Sequence, residues 1–203
     1  ERPQRRVAVD SRATPVNTDL LRIVNKSTKN QQSNYLQIPS SLPARVATLA
    51  RSITADAANP YDQALQIEAY LRTLTYDLDV PMVSPSADLV DAFLFDLRRG
   101  YCDYFASAFV MMARGVGLPA RLAVGYASGR QEAPGVWLVS AADAHSWPEV
   151  YFEGVGWVAF EPTPARPLLV PLHQLPSNNP AVLAPRSALP LPLAGWTAAA
   201  TLG

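Results

Sequence analysis

The sequence predicts an α+β domain, with helices in the first half and an antiparallel sheet packed on them. Three observations carry that prediction. Apolar residues recur at helical spacing up to about Gly117; from Ala120 to Glu161 the period becomes alternating; and between the two lies Tyr104 to Met112, nearly all apolar. A helix without a polar face has to be covered on every side, so this run is read as a central buried helix.

The first helix is expected within 35-YLQIPSSLPARVATLARSI-53, with Ser41 as N-cap, Pro43 in the first turn, and Val46, Leu49, Ala50 and Ile53 on one stripe. In 59-NPYDQALQIEAYLRTLTY-76, Asn59 can cap, Pro60 fits the first turn, and Ala64, Ile67, Leu71 and Leu74 line one face. A third helix is expected from a Ser86 cap to Gly100 as terminator. The central helix follows, with Asp103 at its start, Gly115 and Gly117 at its end, and Cys102 at or just before its first turn. Four strands are then read at 120–127, 136–141, 145–152 and 155–161, with Gly129, Gly135 and Gly154 at turns. Pro148 within the third of these argues for an edge position or a bulge.

Residues 1–34 read as an irregular lead-in holding seven Lys/Arg against three acids, 35–164 as one ordered domain, and 165–203 as a Pro-rich tail or linker. The closing stretch 187–203 lacks acidic and basic residues but is broken by two prolines and a glycine, which makes it a poor membrane span. A start at Glu1 instead of Met fits a part of a larger protein.

Composition narrows the function. Seventeen basic and seventeen acidic residues cancel, which removes the electrostatic footprint of a dedicated nucleic-acid binder. One cysteine excludes an internal disulfide, and with only two histidines neither a Cys-rich nor a His-built metal site is expected.

A lone cysteine is usually an inert buried residue. At a helix N-terminus, however, the unpaired N–H groups and the positive dipole end favour thiolate, and the same N–H groups can bond an oxyanion. A thiolate nucleophile needs a proton acceptor oriented by an acid. His173 falls in the Pro-rich tail, which leaves His145. If the last two strands turn near Glu153, paired residue numbers sum to about 306, and Glu161 comes opposite His145 within one or two positions. Asp143, two residues before His145, competes for the orienting role.

These residues in this order resemble the transglutaminase-like superfamily, in particular its bacterial membrane-anchored branch. The resemblance is carried by 36-LQIPSSLPARV-46, 60-PYDQALQIEAYLRTLTYDLDVP-81, 99-RGYCDYFASAFVMMARGVGLPARLAVGY-126 and 143-DAHSWPEVYFEGVGWVAFEPTP-164, about two thirds of the chain. It implies a papain-like fold with Cys102 as nucleophile, His145 as general base and then acid, and Glu161 at the acid position. The usual acid before Pro-Thr-Pro is Asp, so Glu161 is a departure, and Pro148 is a second. Tyr76 matches an upstream oxyanion donor or else is a core aromatic. Trp147 and Trp157 are expected to pack beside the triad and to wall the acceptor channel.

Three activities stay open on this reading. The first is a thiol acyltransferase acting on a glutamine carboxamide in a protein or peptide, with an amine acceptor and no cofactor. The second is a peptidase, amidase or deamidase in which water resolves the thioester, and the third a catalytically silent module that binds peptide or cell-wall strands. The resemblance further implies an extracytoplasmic position, with membrane attachment through segments outside this chain.

Overall fold

A computed structural model describes residues 5–6, 18–24, 33–84, 86–164, 166–167 and 200–201. The helices are α1 (Thr18–Ile23), α2 (Ala44–Ile53), α3 (Pro60–Leu71), α4 (Leu89–Ala92), which runs on into a π-helical turn Phe93–Leu97, and α5 (Cys102–Gly115). The strands are β1 (Arg5–Arg6), β2 (Thr75–Tyr76), β3 (Arg99–Gly100), β4 (Ala120–Tyr126), β5 (Arg130–Ala133), β6 (Val136–Leu138), β7 (Ala144–Phe152), β8 (Gly156–Ala159) and β9 (Ala200–Thr201). These residues fall into two units, one of 18–123 with 146–167, the other of 124–145 with 5–6 and 200–201. Most of the predicted tail, His173 included, lies outside the described residues.

The first unit is organised around α5, which buries Tyr104, Phe105, Ala106, Ala108, Phe109, Val110, Met112 and Ala113. α2, α3 and α4 pack along it, and Gly115 lets α2 approach closely, since a Cβ there would stand 3.1 Å from that of Ala47. The sheet covers it through Phe160, whose ring stacks on Phe109 at 5.4 Å. Each such Phe contributes roughly 1.5–3 kcal/mol when fully buried. α1, inside the stretch expected to be an irregular lead-in, adds the fully buried Leu21 to the same core.

Local chemistry accounts for the helix ends. Asn59 caps α3 by accepting the Asp62 N–H at 2.9 Å, and Pro60 occupies the first position as expected. α2 starts one residue beyond Pro43 with no side-chain cap, so Ser41 does not serve. The third helix also differs from expectation. Its cap is Asp88, which accepts from Val90 and Asp91 N–H, while Ser86 instead shares a 3.0 Å hydroxyl bond with Ser84.

Nor does that helix end on Gly100. It widens into the π turn and stops at Arg98, whose φ of 53° is left-handed and whose N–H reaches back to the Phe93 carbonyl. Arg98 makes good part of the strain by donating to the Leu94 carbonyl at 3.2 Å and the Tyr70 hydroxyl at 3.3 Å. This stop sends Arg99 and Gly100 alongside β2, where the parallel pairing sets Thr75 against Arg99 and Tyr76 against Gly100.

The main sheet has the order β4-β7-β8. β4 and β7 run antiparallel, because Tyr151 N–H bonds Pro119 O at one end and Ala127 N–H bonds Asp143 O at the other. In the β7–β8 hairpin Glu149 faces Ala159 and Phe152 faces Gly156, so paired numbers sum to 308 and not 306. The turn is centred on Gly154, with φ 76°, one residue later than assumed. Pro148 is on the middle strand, not at an edge. Its backbone faces β8, where its carbonyl accepts Phe160 N–H at 3.0 Å beyond the last residue of β8, so the missing donor falls at the ladder's end.

In the second unit, the strand expected over 136–141 is shorter, stays out of the main sheet and pairs with β5 in an irregular hairpin. β5 is fully exposed and reads Arg-Gln-Glu-Ala, which carries no apolar alternation to announce a strand.

Gly100 offers a test of this packing. A Cβ there would stand 2.8 Å from the Tyr104 Cβ, an atom fixed to the α5 backbone. Gly100→Ala is expected to cost about 1–3 kcal/mol by overpacking, read as a lower urea midpoint at unchanged slope; an unchanged midpoint would mean that β3 and α5 are not packed as described.

Candidate active site

Cys102 is the first residue of α5 and is half-buried. It stands there because the chain leaves the Arg98 turn, pairs briefly with β2 and enters the helix through Tyr101 in extended conformation. The Tyr101 carbonyl accepts the Tyr104 N–H at 2.9 Å and closes the first turn. The β2–β3 pairing, reinforced by Asp77 N–H to Gly100 O at 2.8 Å, brings Tyr76 to this end of the helix. Burial pushes the Tyr76 phenol above its usual range, and charge on Cys102 adds to the rise. Asp103 ties the same helix end to β7, its Oδ1 accepting the Ser146 hydroxyl at 2.6 Å while lying 4.0 Å from Cys102 Sγ.

Glu161 follows β8 and is only 2% exposed. Its N–H donates to Glu68 Oε1 at 2.6 Å and its carbonyl accepts from Arg72 Nη1 at 2.7 Å. Arg72 also bonds the carbonyls of Thr163 at 3.0 Å and Arg166 at 2.9 Å. The Glu161 side chain reaches along the following segment, with Oε1 accepting the Thr163 N–H at 3.0 Å.

His145 lies in β7 and is 8% exposed. The β7–β8 pairing runs from Phe152–Gly156 to Glu149–Ala159, and the Phe160 N–H to Pro148 O bond is the last one beyond it, with Trp147 the next residue of β7. Asp143 sits in a short 3-10 turn, where Oδ2 accepts both the Ser140 N–H at 2.8 Å and the Ser140 hydroxyl at 2.9 Å. Trp157 does not stand at the Glu161 end of the hairpin. It pairs with Tyr151 near the turn, about 13 Å along the strand by the usual rise, between Tyr35, Tyr151 and the Arg121 guanidinium.

Sequence reasoning passed over Glu68, Arg72 and the Asp103–Ser146 pair. Glu68 did leave a signal: at helical spacing from Ala64 and next to Ile67, it is a charge on the apolar stripe of α3. It is 5% exposed, and burial pushes its carboxyl up to about 7. The Glu161 N–H and the Arg72 charge oppose that rise, while the charge on Glu161 adds to it. Among the described residues, no three His, Cys, Asp or Glu side chains gather as a metal site requires.

Comparison with known proteins bears on this arrangement. Residues 47–162, more than half of the chain, match the family model described as the transglutaminase-like superfamily. The chain is 44% identical over 137 residues to YebA of Bacillus subtilis (strain 168), an uncharacterized protein, covering 64% of this chain and 19% of that one. It is 36% identical over 132 residues to a protein-glutamine gamma-glutamyltransferase of Pseudomonas aeruginosa, covering 63% and 19%. The chain thus spans about one fifth of these curated relatives. A crystal structure of the periplasmic domain of TgpA from Pseudomonas aeruginosa superimposes with a TM-score of 0.59 at 31% identity, covering 66% of this chain and 47% of that one.

The Glu68 environment has a pH signature. Its folded-state carboxyl titrates at about 7, above the ordinary 4.5. The folded state therefore binds the proton more tightly, and this contribution to stability is complete below about pH 4.5 and lost as pH rises through 7. Glu68→Gln keeps the shape and an acceptor oxygen without the charge. It is expected to flatten the fall in Tm between pH 5 and pH 8, a difference of at most a few kcal/mol; parallel Tm–pH curves for the two proteins would refute it.

Proposed function

Because this chain belongs to the transglutaminase-like superfamily, we propose that it is a thiol acyltransferase in which Cys102, His145 and Glu161 act as nucleophile, base and orienting acid. The observation that carries this reading is the placement of Cys102 as the first residue of the largely buried helix α5. There the positive dipole end of the helix favours the thiolate and an oxyanion formed on an acyl group the sulfur attacks.

In the reaction, the Cys102 thiolate adds to a glutamine side-chain carbonyl, forming the C–S bond. The oxyanion is bonded by first-turn N–H groups and the Tyr76 hydroxyl. As the intermediate collapses, the C–N bond breaks and His145 protonates the departing ammonia. A primary amine then adds to the thioester and gives a proton to His145; the C–S bond breaks, releasing the amide and restoring the thiolate beside the protonated imidazole. Glu161 holds the imidazole in the required tautomer. Glu161 is favoured over Asp143, whose Oδ2 is engaged twice by Ser140. Trp147, next to the Pro148 end of the hairpin, limits water at the acceptor side.

The residues 35–164 form the catalytic domain on this reading. Similarity to a periplasmic domain supports an extracytoplasmic position, with membrane attachment through segments outside this chain. Among the described residues no helix is long and apolar enough to cross a membrane.

The test is to incubate a glutamine-containing peptide with and without a fluorescent primary alkylamine and follow ammonia and peptide mass. Ammonia release with amine incorporation is expected, abolished in Cys102→Ala and reduced roughly 10²–10⁴-fold in Glu161→Gln. Ammonia without incorporation would reassign the chain to a hydrolase. No turnover, with Cys102 alkylating no faster at pH 6 than a free cysteine, would leave only a binding module.

A further inference from the structure

We propose that Glu68 on α3 and Arg72, one turn on at the C-cap of that helix, are positioning residues that clamp the backbone carrying Glu161 and thereby hold the acid in its working place. The inference rests on the triad reading above and extends it to two residues that touch neither substrate nor thiol.

The geometry is two-sided. Glu68 Oε1 takes the Glu161 N–H, and Arg72 Nη1 takes the Glu161 carbonyl, so both backbone groups of the acid are bonded to one helix. Arg72 spreads its planar fork over two more carbonyls, Thr163 and Arg166, which fixes the run that follows. Thr163 in turn donates its N–H to Glu161 Oε1, so the segment held by Arg72 also sets the carboxylate rotamer. Backbone, following strand and side chain of Glu161 thus refer to α3.

A purely structural clamp would be built more cheaply. Burying a carboxylate costs several kcal/mol unless its bonds are complete, and here two carboxylates, Glu68 and Glu161, are buried side by side. An amide or hydroxyl would close the same backbone bond without that repulsion. What the charged Arg72 fork adds is stiffness, since charge-assisted bonds are about twice as strong as neutral ones. Stiffness matters where an acid is one methylene longer than the usual residue. A misplacement of about 1 Å at such a site costs about 10²-fold in rate.

The experiment is a double-mutant cycle on the whole chain, with kcat and KM for amine incorporation, the Cys102 alkylation rate at pH 6 and Tm read together. Glu68→Leu is expected to lower kcat roughly 10²-fold with KM within about twofold, while Glu68→Gln, which keeps the acceptor, recovers at least about tenfold of that loss. Combined with Glu161→Gln, Glu68→Leu should add less than about twofold, because both act through one group. If Glu68→Leu does not fold, Arg72→Lys, which keeps the charge but not the fork, carries the same expectation. Losses that multiply in the double variant, or normal kcat in Glu68→Leu beside an impaired Glu161→Gln, would overturn the clamp alone. Normal kcat in Glu161→Gln itself would overturn the triad, and the clamp's role with it.

Discussion

The apolar surface of α5 sets the terms for the rest of the structure. A helix that buries Tyr104, Phe105, Phe109, Val110 and Met112 cannot stand at an edge, so helices must cover one side and a sheet the other. The capped start of α3, the close approach at Gly115 and the stacking of Phe109 on Phe160 are ways of meeting that demand. At the first turn of this helix Cys102 stays half-buried, as Ser107, Met111 and Arg114 do along one face.

Two different kinds of force hold the two halves of the candidate triad within their unit. Cys102 is fixed by shape: the left-handed Arg98, the bare Gly100 and the ring of Tyr104 leave the entering chain one path. Glu161 is fixed by polar bonds, to Glu68, Arg72 and Thr163, in a place where each unsatisfied group would cost about 1–3 kcal/mol. Shape tolerates little change in volume, whereas a bonded network tolerates little change in chemistry. Glu161 belongs to the second regime, because its carboxylate is bonded by the Thr163 N–H two residues on.

Much of this was legible in advance because it depends on local patterns. Asn59-Pro60, the unbroken apolar run from Tyr104 and the alternation after Ala120 each have one physical reading, and α3, α5, β4, β7 and β8 follow from them. What escaped depends on contacts distant in sequence. The π turn and the Arg98 stop answer to β2, more than 20 residues upstream, and not to the local sequence, which suggested Gly100. β5 is polar throughout and owes its strand to β6. The hairpin sum was two too low because turn length is not written in alternation. Glu68 was visible as a misplaced charge, but its partner lies 93 residues away.

The register of that hairpin has a bearing on how this chain can vary through descent. Surface turns are where lineages usually gain and lose residues. In the turn after Phe152, one residue added or removed slips the positions that re-pair to the opposite sheet face, exposing Val158 and Phe160 and displacing the buried Glu161. Length at this turn can therefore drift only in even steps. A segment that looks free to diverge, with the exposed Glu153 and Gly154 at its tip, acts as a counting device that preserves the parity of the acid.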